Sequence, residues 1–139
     1  PSGENGGLGT TYLEINITKQ HLWLVKDGAV ALESDFVSGK ESDPSRLTPN
    51  GTYYIYNKER NRVLRGTKQP NGKYEYESPV SYWMPFNKGI GLHDASWRST
   101  FGGNIYINSG SHGCINLPTG FAGSLYSQIY VNLPVVVYR

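Results

Sequence analysis

The sequence predicts a mainly β domain with one α-helix near its C-terminal end. Three observations predict it: apolar residues alternate with period two early in the chain, glycine-bearing turn dipeptides separate the runs, and one late stretch repeats every fourth position. Alternation begins at Thr11, with Tyr12, Leu13, Ile15 and Ile17 in one stretch and His21 to Val25 in the next, after a polar Thr18-Lys19-Gln20 turn. Asp27-Gly28 suits a two-residue hairpin, so Ala29 to Val37 is expected to return beside the second run. Residues 38–51 read as a loop, and Thr52 to Tyr56, aromatic and β-branched, as a strand. Asn71-Gly72 marks another hairpin with Tyr74 to Glu77 alternating beyond it, and Val80 to Phe86 is expected as a strand bounded by Pro79 and Pro85. From Pro118, Phe121, Leu125 and Ile129 recur at helical spacing, with Asn116 as the expected cap and Pro118 in the first turn. Gly120 and Gly123 weaken that helix by about 1 kcal/mol each. Val135 to Tyr138 closes the chain as a strand.

A length of 139 residues fits one domain, assigned to residues 11–139. Residues 1–10, beginning Pro1-Ser2-Gly3, read as a linker or the processed end of a longer chain, so any export signal or anchor would lie elsewhere. With 17% charged residues the chain is too weakly charged for a disordered, solvated polymer. A formal net charge of +2 is too mild to mark a nucleic-acid binder. No apolar run reaches the roughly 18–20 residues of a membrane helix. A single cysteine excludes an intrachain disulfide, and three histidines with one cysteine lack the paired spacing of a zinc site. The chemistry is therefore expected to need no metal or other cofactor.

The polar chemistry concentrates in Ile90-Gly91-Leu92-His93-Asp94 and in Ser109-Gly110-Ser111-His112-Gly113-Cys114-Ile115-Asn116. A free thiol is only a few per cent ionised at neutral pH, so a cysteine nucleophile needs a base or cation brought to it. A histidine supplies that, although 21 positions separate His93 from Cys114. Backbone N–H groups of Gly113 and Cys114 suit an oxyanion hole, and the following helix would lend its positive end to the thiol. The competing reading is a buried structural cysteine, in keeping with Ile115 beside it. A depressed thiol pKa would mark a nucleophile and an inert thiol a packed one. His21 sits in an alternating run and reads as structural. Lys58, Arg60, Arg62, Arg65, Lys68 and Lys73 crowd one hairpin-like stretch, either solvated or a lid whose cations meet anionic substrate. Trp97, Tyr82 and Trp83 are weak candidates for a cleft wall, with core packing as the alternative.

Ser111-His112-Gly113-Cys114-Ile115-Asn116, preceded by His93 with 17 residues between it and Ser111, resembles the signature of the L,D-transpeptidase catalytic domain (YkuD family). The likeness extends from Thr11 to Arg139. It takes in the hairpin-like Tyr12 to Gly28 and the landmarks Val37-Ser38-Gly39-Lys40 and Thr48-Pro49-Asn50-Gly51. Asn116 stands where many members have arginine and several Gram-positive ones have asparagine. The resemblance implies a β-sandwich or barrel-like catalytic domain with a cysteine at the bottom of a cleft. It implies an acyltransferase that cross-links peptidoglycan outside the cytoplasmic membrane, in the cell wall or at the outer face of that membrane, acting as a monomer. Cys114 would attack the third residue of a donor tetrapeptide stem and release D-Ala, and an amine of a second stem would resolve the thioester. His93 would be the base, Ser111 would orient it through its carbonyl, and His112, Gly113 and Cys114 would hold the oxyanion. Carbapenems would acylate the same thiol. A hydrolase (an L,D-carboxypeptidase or other cysteine amidase) and a non-catalytic wall-binding module remain as alternatives.

Overall fold

Two β-sheets close over one apolar core. The computed structural model describes residues 1–2 and 7–139; residues 3–6 of the expected linker lie outside the described residues. The first sheet has the order β3-β2-β1-β9-β4, built from β1 (Tyr12–Asn16), β2 (His21–Lys26), β3 (Ala29–Asp35), β4 (Gly51–Tyr54) and β9 (Pro134–Tyr138). The second has the order β5-β6-β7-β8, from β5 (Glu59–Arg65), β6 (Glu77–Asn87), β7 (Ile90–Asp94) and β8 (Ile115–Leu117). Leu13, Ile15 and Leu22 from the first sheet meet Met84, Leu92 and Ile115 from the second in one buried cluster. No helix of the described residues is long and apolar enough to cross a membrane.

The early hairpin forms as the turn residues require. Asp27 and Gly28 take φ of 50° and 82°, the positive pair of a type I′ turn, and β2 pairs antiparallel with β3. Beside the expected linker, Leu8 packs on a small cluster of Tyr12, Trp23 and Val25, and the Ser2 N–H donates to the buried Glu14 carboxylate at 2.8 Å.

The second sheet departs from expectation in three places. Pro79 and Pro85 lie inside β6 rather than bounding it, opposite Val63 and Gly91. β5 flanks β6 only up to Trp83 and β7 flanks it only from Trp83 onward, so each proline has a ladder on one side alone. The stretch holding Arg60, Arg62 and Arg65 is itself a strand, β5. Beyond the Asn71-Gly72 turn, Tyr74 makes an isolated bridge to Lys68 and regular pairing resumes at Glu77.

Among the described residues there are two α-helices, besides a single 3-10 turn at Pro44–Arg46. α2 (Thr119–Gln128) fills the expected helical stretch, burying Ala122 and Leu125 and packing on β6 and β7. Its cap is Pro118, not Asn116, because Asn116 is held in β8 with its backbone paired to Val37 in both directions (3.0 and 2.8 Å). A second, five-residue helix α1 (Ile105–Ser109) was not legible in the sequence, since one and a half turns carry too little periodicity to register.

Candidate active site

His93 and Cys114 are brought together by strand order, not by sequence distance. β7 and β8 run parallel with His93 opposite Asn116, so the end of the Ser109–Cys114 loop falls beside the start of β7. There the Gly91 N–H donates to the Cys114 sulfur, and the thiol lies 3.5 Å from the Gly89 carbonyl, which accepts from it. His93, 4% exposed, stands between Trp83 (ring centroids 6.0 Å apart) and Trp97 (5.9 Å). Both reactive side chains line one cavity of about 200 Å³.

The tautomer of His93 follows from its partner. Nδ1 lies 2.8 Å from the Asp94 carbonyl oxygen, which can only accept; Nδ1 therefore carries the hydrogen and Nε2 is left as the basic nitrogen. Asp94 thus does the orienting expected of Ser111. Its carboxylate accepts from the Ser81 and Tyr82 amides (2.8–3.0 Å), locking β6 against β7 beneath the histidine. The Ser111 carbonyl accepts instead from the Lys40 N–H at 3.0 Å. The Ser111 hydroxyl holds the loop, donating to the Cys114 carbonyl (2.6 Å) and accepting from the Gly113 N–H (3.1 Å). The Gly113 amide is therefore engaged inside the loop and is not directed at an oxyanion.

That loop is shaped by groups far away in sequence. Gly113 has φ of +128°, a conformation side chains rarely adopt. A Cβ on Gly39 would stand 1.8 Å from the Arg46 carbonyl oxygen and 3.0 Å from the Gly113 Cα, so two backbones touch where Gly39 has no side chain. Thr48, fully buried, clasps both: its hydroxyl donates to the Gly113 carbonyl at 2.6 Å and accepts from the Gly39 N–H at 2.9 Å. Thr48→Val keeps the volume and strands both backbone groups. The expected cost is about 1–3 kcal/mol in denaturant unfolding, with slower reaction of Cys114 towards thiol reagents. Unchanged stability and reactivity would show the clasp to be idle.

Burial sets the electrostatics. It pushes the Cys114 thiol up to about 11 despite the Gly91 N–H, and lowers the His93 imidazole below 6.5 despite its bond to Asp94. Both directions favour the neutral forms over a thiolate–imidazolium pair. The positive helix end expected behind the thiol is also missing, because β8 separates Cys114 from α2.

The remaining candidates divide. Trp97 (51% exposed) and His112 line the cavity, with Ser111 and Asn116. The Asn116 Oδ1 is buried with no partner among the described residues. Tyr82 and Trp83 do not line it: Tyr82 packs on Tyr126 under Arg60, and Trp83 is buried behind His93. The cations of the basic stretch are not in the cavity either. Lys58 sits over Tyr126, Arg60 over Tyr82, Arg62 pairs with Glu59 and Arg65 with Glu77. What that hairpin brings to the site is Leu64 and Tyr76 as cavity wall, Tyr76 stacking on His112 with centroids 4.4 Å apart, and the Glu75 carboxylate 3.4 Å from His112 Nε2. His21 lies outside the site, on the first sheet, between Asp35 (2.6 Å) and Glu33 (2.9 Å). Sequence reasoning missed Leu64, Tyr76, Ser78 and Arg98 as lining residues. Arg98 alone had a local signal, five positions after His93 and directly after Trp97.

Residues 10–137 match the model of the L,D-transpeptidase catalytic domain. The chain belongs to that family. A cysteine-to-serine mutant of the Enterococcus faecium L,D-transpeptidase is 45% identical over 93% of this chain, with a TM-score of 0.83. This chain spans 50% of that one. The isolated catalytic domain of the E. faecium L,D-transpeptidase is 43% identical, with 96% of this chain and all of that domain covered at a TM-score of 0.80. A form of that domain acylated by ertapenem is 45% identical with a TM-score of 0.77, covering 93% of this chain and 97% of that one. A comparison with curated protein sequences returned no match. The expected two-sheet, mainly β fold of an L,D-transpeptidase catalytic domain is the fold observed.

Proposed function

We propose that this L,D-transpeptidase domain cross-links peptidoglycan through a thioester on Cys114, outside the cytoplasmic membrane. The observation that carries the reading is a half-buried thiol and a singly tautomerised, basic histidine lining one cavity that opens to solvent past Trp97 and His112. In the first step the Cys114 sulfur attacks the carbonyl carbon of the third residue of a donor tetrapeptide, and its proton passes to His93 Nε2. The oxyanion is met by the Cys114 amide and His112, the Gly113 amide being taken by Ser111. His93 returns the proton to the nitrogen as the C–N bond breaks, and D-Ala leaves. In the second step an amine of another stem attacks the thioester carbonyl, the new amide forms and the thiol is restored. Ertapenem, which acylates the E. faecium domain, is expected to acylate Cys114 by the same route.

Asn116, beside His93 in the parallel register, offers its unpartnered oxygen to a substrate N–H. Mass spectrometry of products from a defined tetrapeptide, with and without an amine acceptor, tests the reading. A cross-linked dimer that appears only with the acceptor is the expected result. Tripeptide alone, in both reactions, would make the chain an L,D-carboxypeptidase, and no D-Ala release at all would leave a wall-binding module.

A further inference from the structure

Among the residues lining the Cys114 cavity, Arg98 alone carries a permanent charge, and no carboxylate lines the same space. Its guanidinium is half-buried. One terminal nitrogen donates to the Ser109 carbonyl at the end of α1 (3.0 Å), while Nε is buried with no partner among the described residues. A desolvated cation with an unused donor is costly to keep unless something anionic meets it. The burial already draws the guanidinium below its ordinary pKa, and its charge reaches His93.

We infer that Arg98 binds the terminal carboxylate of the donor peptide and so selects stems that end in a free acid. The inference rests on the proposed transpeptidase reading. Covalent geometry supplies the fit. In a tetrapeptide cut before its last residue, the C-terminal carboxylate lies within about one residue length, ~3.8 Å along the chain, of the carbonyl attacked by Cys114. It must therefore enter the same small cavity that Arg98 lines, and a guanidinium fork matches a carboxylate geometrically. The anchored group departs with D-Ala when the C–N bond breaks, so Arg98 acts on the donor and loses its ligand once the thioester has formed. The acceptor step is then independent of Arg98.

Two donors decide it: the tetrapeptide acid and the same peptide as its C-terminal carboxamide, with release of D-Ala or D-alaninamide followed by mass spectrometry. The native protein is expected to favour the acid by about 10- to 100-fold in kcat/KM, the range of a charged hydrogen-bonded contact. Arg98→Met should lose the preference and use both donors alike, and Arg98→Lys should restore part of it. The fraction of thioester passed to a fixed amine acceptor should not change. Equal use of acid and carboxamide by the native protein overturns the inference whether or not the variants fold. So does an Arg98→Met variant that loses equally on both donors, which would mark a structural role. Dimer formation without acid preference leaves the transpeptidase reading standing and removes Arg98 alone; release from neither donor overturns both.

Discussion

Cys114→Ala is expected to abolish covalent labelling. Incubated with ertapenem and weighed intact, the native chain should gain one drug mass and the alanine variant none. The reason is quantitative as well as chemical. The chain holds one cysteine, so no second thiol stands in. The cavity walls offer the hydroxyls of Tyr76, Ser78 and Ser111 as other nucleophiles; Ser111 has its hydroxyl engaged with Cys114 and Gly113, and burial raises the Tyr76 phenol above its ordinary pKa. Fold loss is not the explanation to expect, since removing a half-buried sulfur leaves the surrounding backbone bonds in place. D-Ala release should fall with the labelling, to the uncatalysed background. A drug adduct on the alanine variant would remove Cys114 from the nucleophile role.

His93→Asn should lower the acylation rate by about 10²- to 10⁴-fold, the range of a positioned general base. Asparagine retains a donor for the Asp94 carbonyl and so separates base loss from loss of anchoring. The pH profile distinguishes mechanisms further. With the thiol near 11, about one in ten thousand is ionised at neutral pH, and the reaction depends on proton transfer at the moment of attack. The active form needs His93 neutral. Because burial lowers the imidazole pKa, that form persists below pH 6.5 and is lost only as the pH falls further. The native rate should therefore be flat through neutrality with an acid limb below 6.5. In His93→Asn the limb should vanish and the rate should climb steadily with pH towards the thiol pKa. A native profile that rises through pH 8–9 instead would mean a preformed thiolate, and His93 would not be the base.

The preference for neutral forms also reframes the thiol test. A raised pKa at Cys114 looks inert by titration, yet the cavity that holds the sulfur is also lined by His93, whose Nε2 is its basic nitrogen. A buried site favours two neutral partners because each charge alone would be poorly solvated.

The sequence by itself pointed to the candidate nucleophile, the candidate base and the early hairpin, because these were written in short-range signals. Ser111 to Asn116 is one contiguous loop and strand, Asp27-Gly28 admits few turns other than the one observed, and Phe121, Leu125 and Ile129 repeat at a helical period. Tertiary structure alone decided which groups surround the sulfur and what state it rests in. Thr48 reaches Gly113 across 65 positions, Tyr76 meets His112 across 36, and Asp94 takes over the orienting bond because it ends the same strand as His93. None of these pairings has a period or a motif. They arise when two sheets close on a shared core and set remote backbones within hydrogen-bonding distance. The same closure half-buries the thiol and sets it in one cavity with His93.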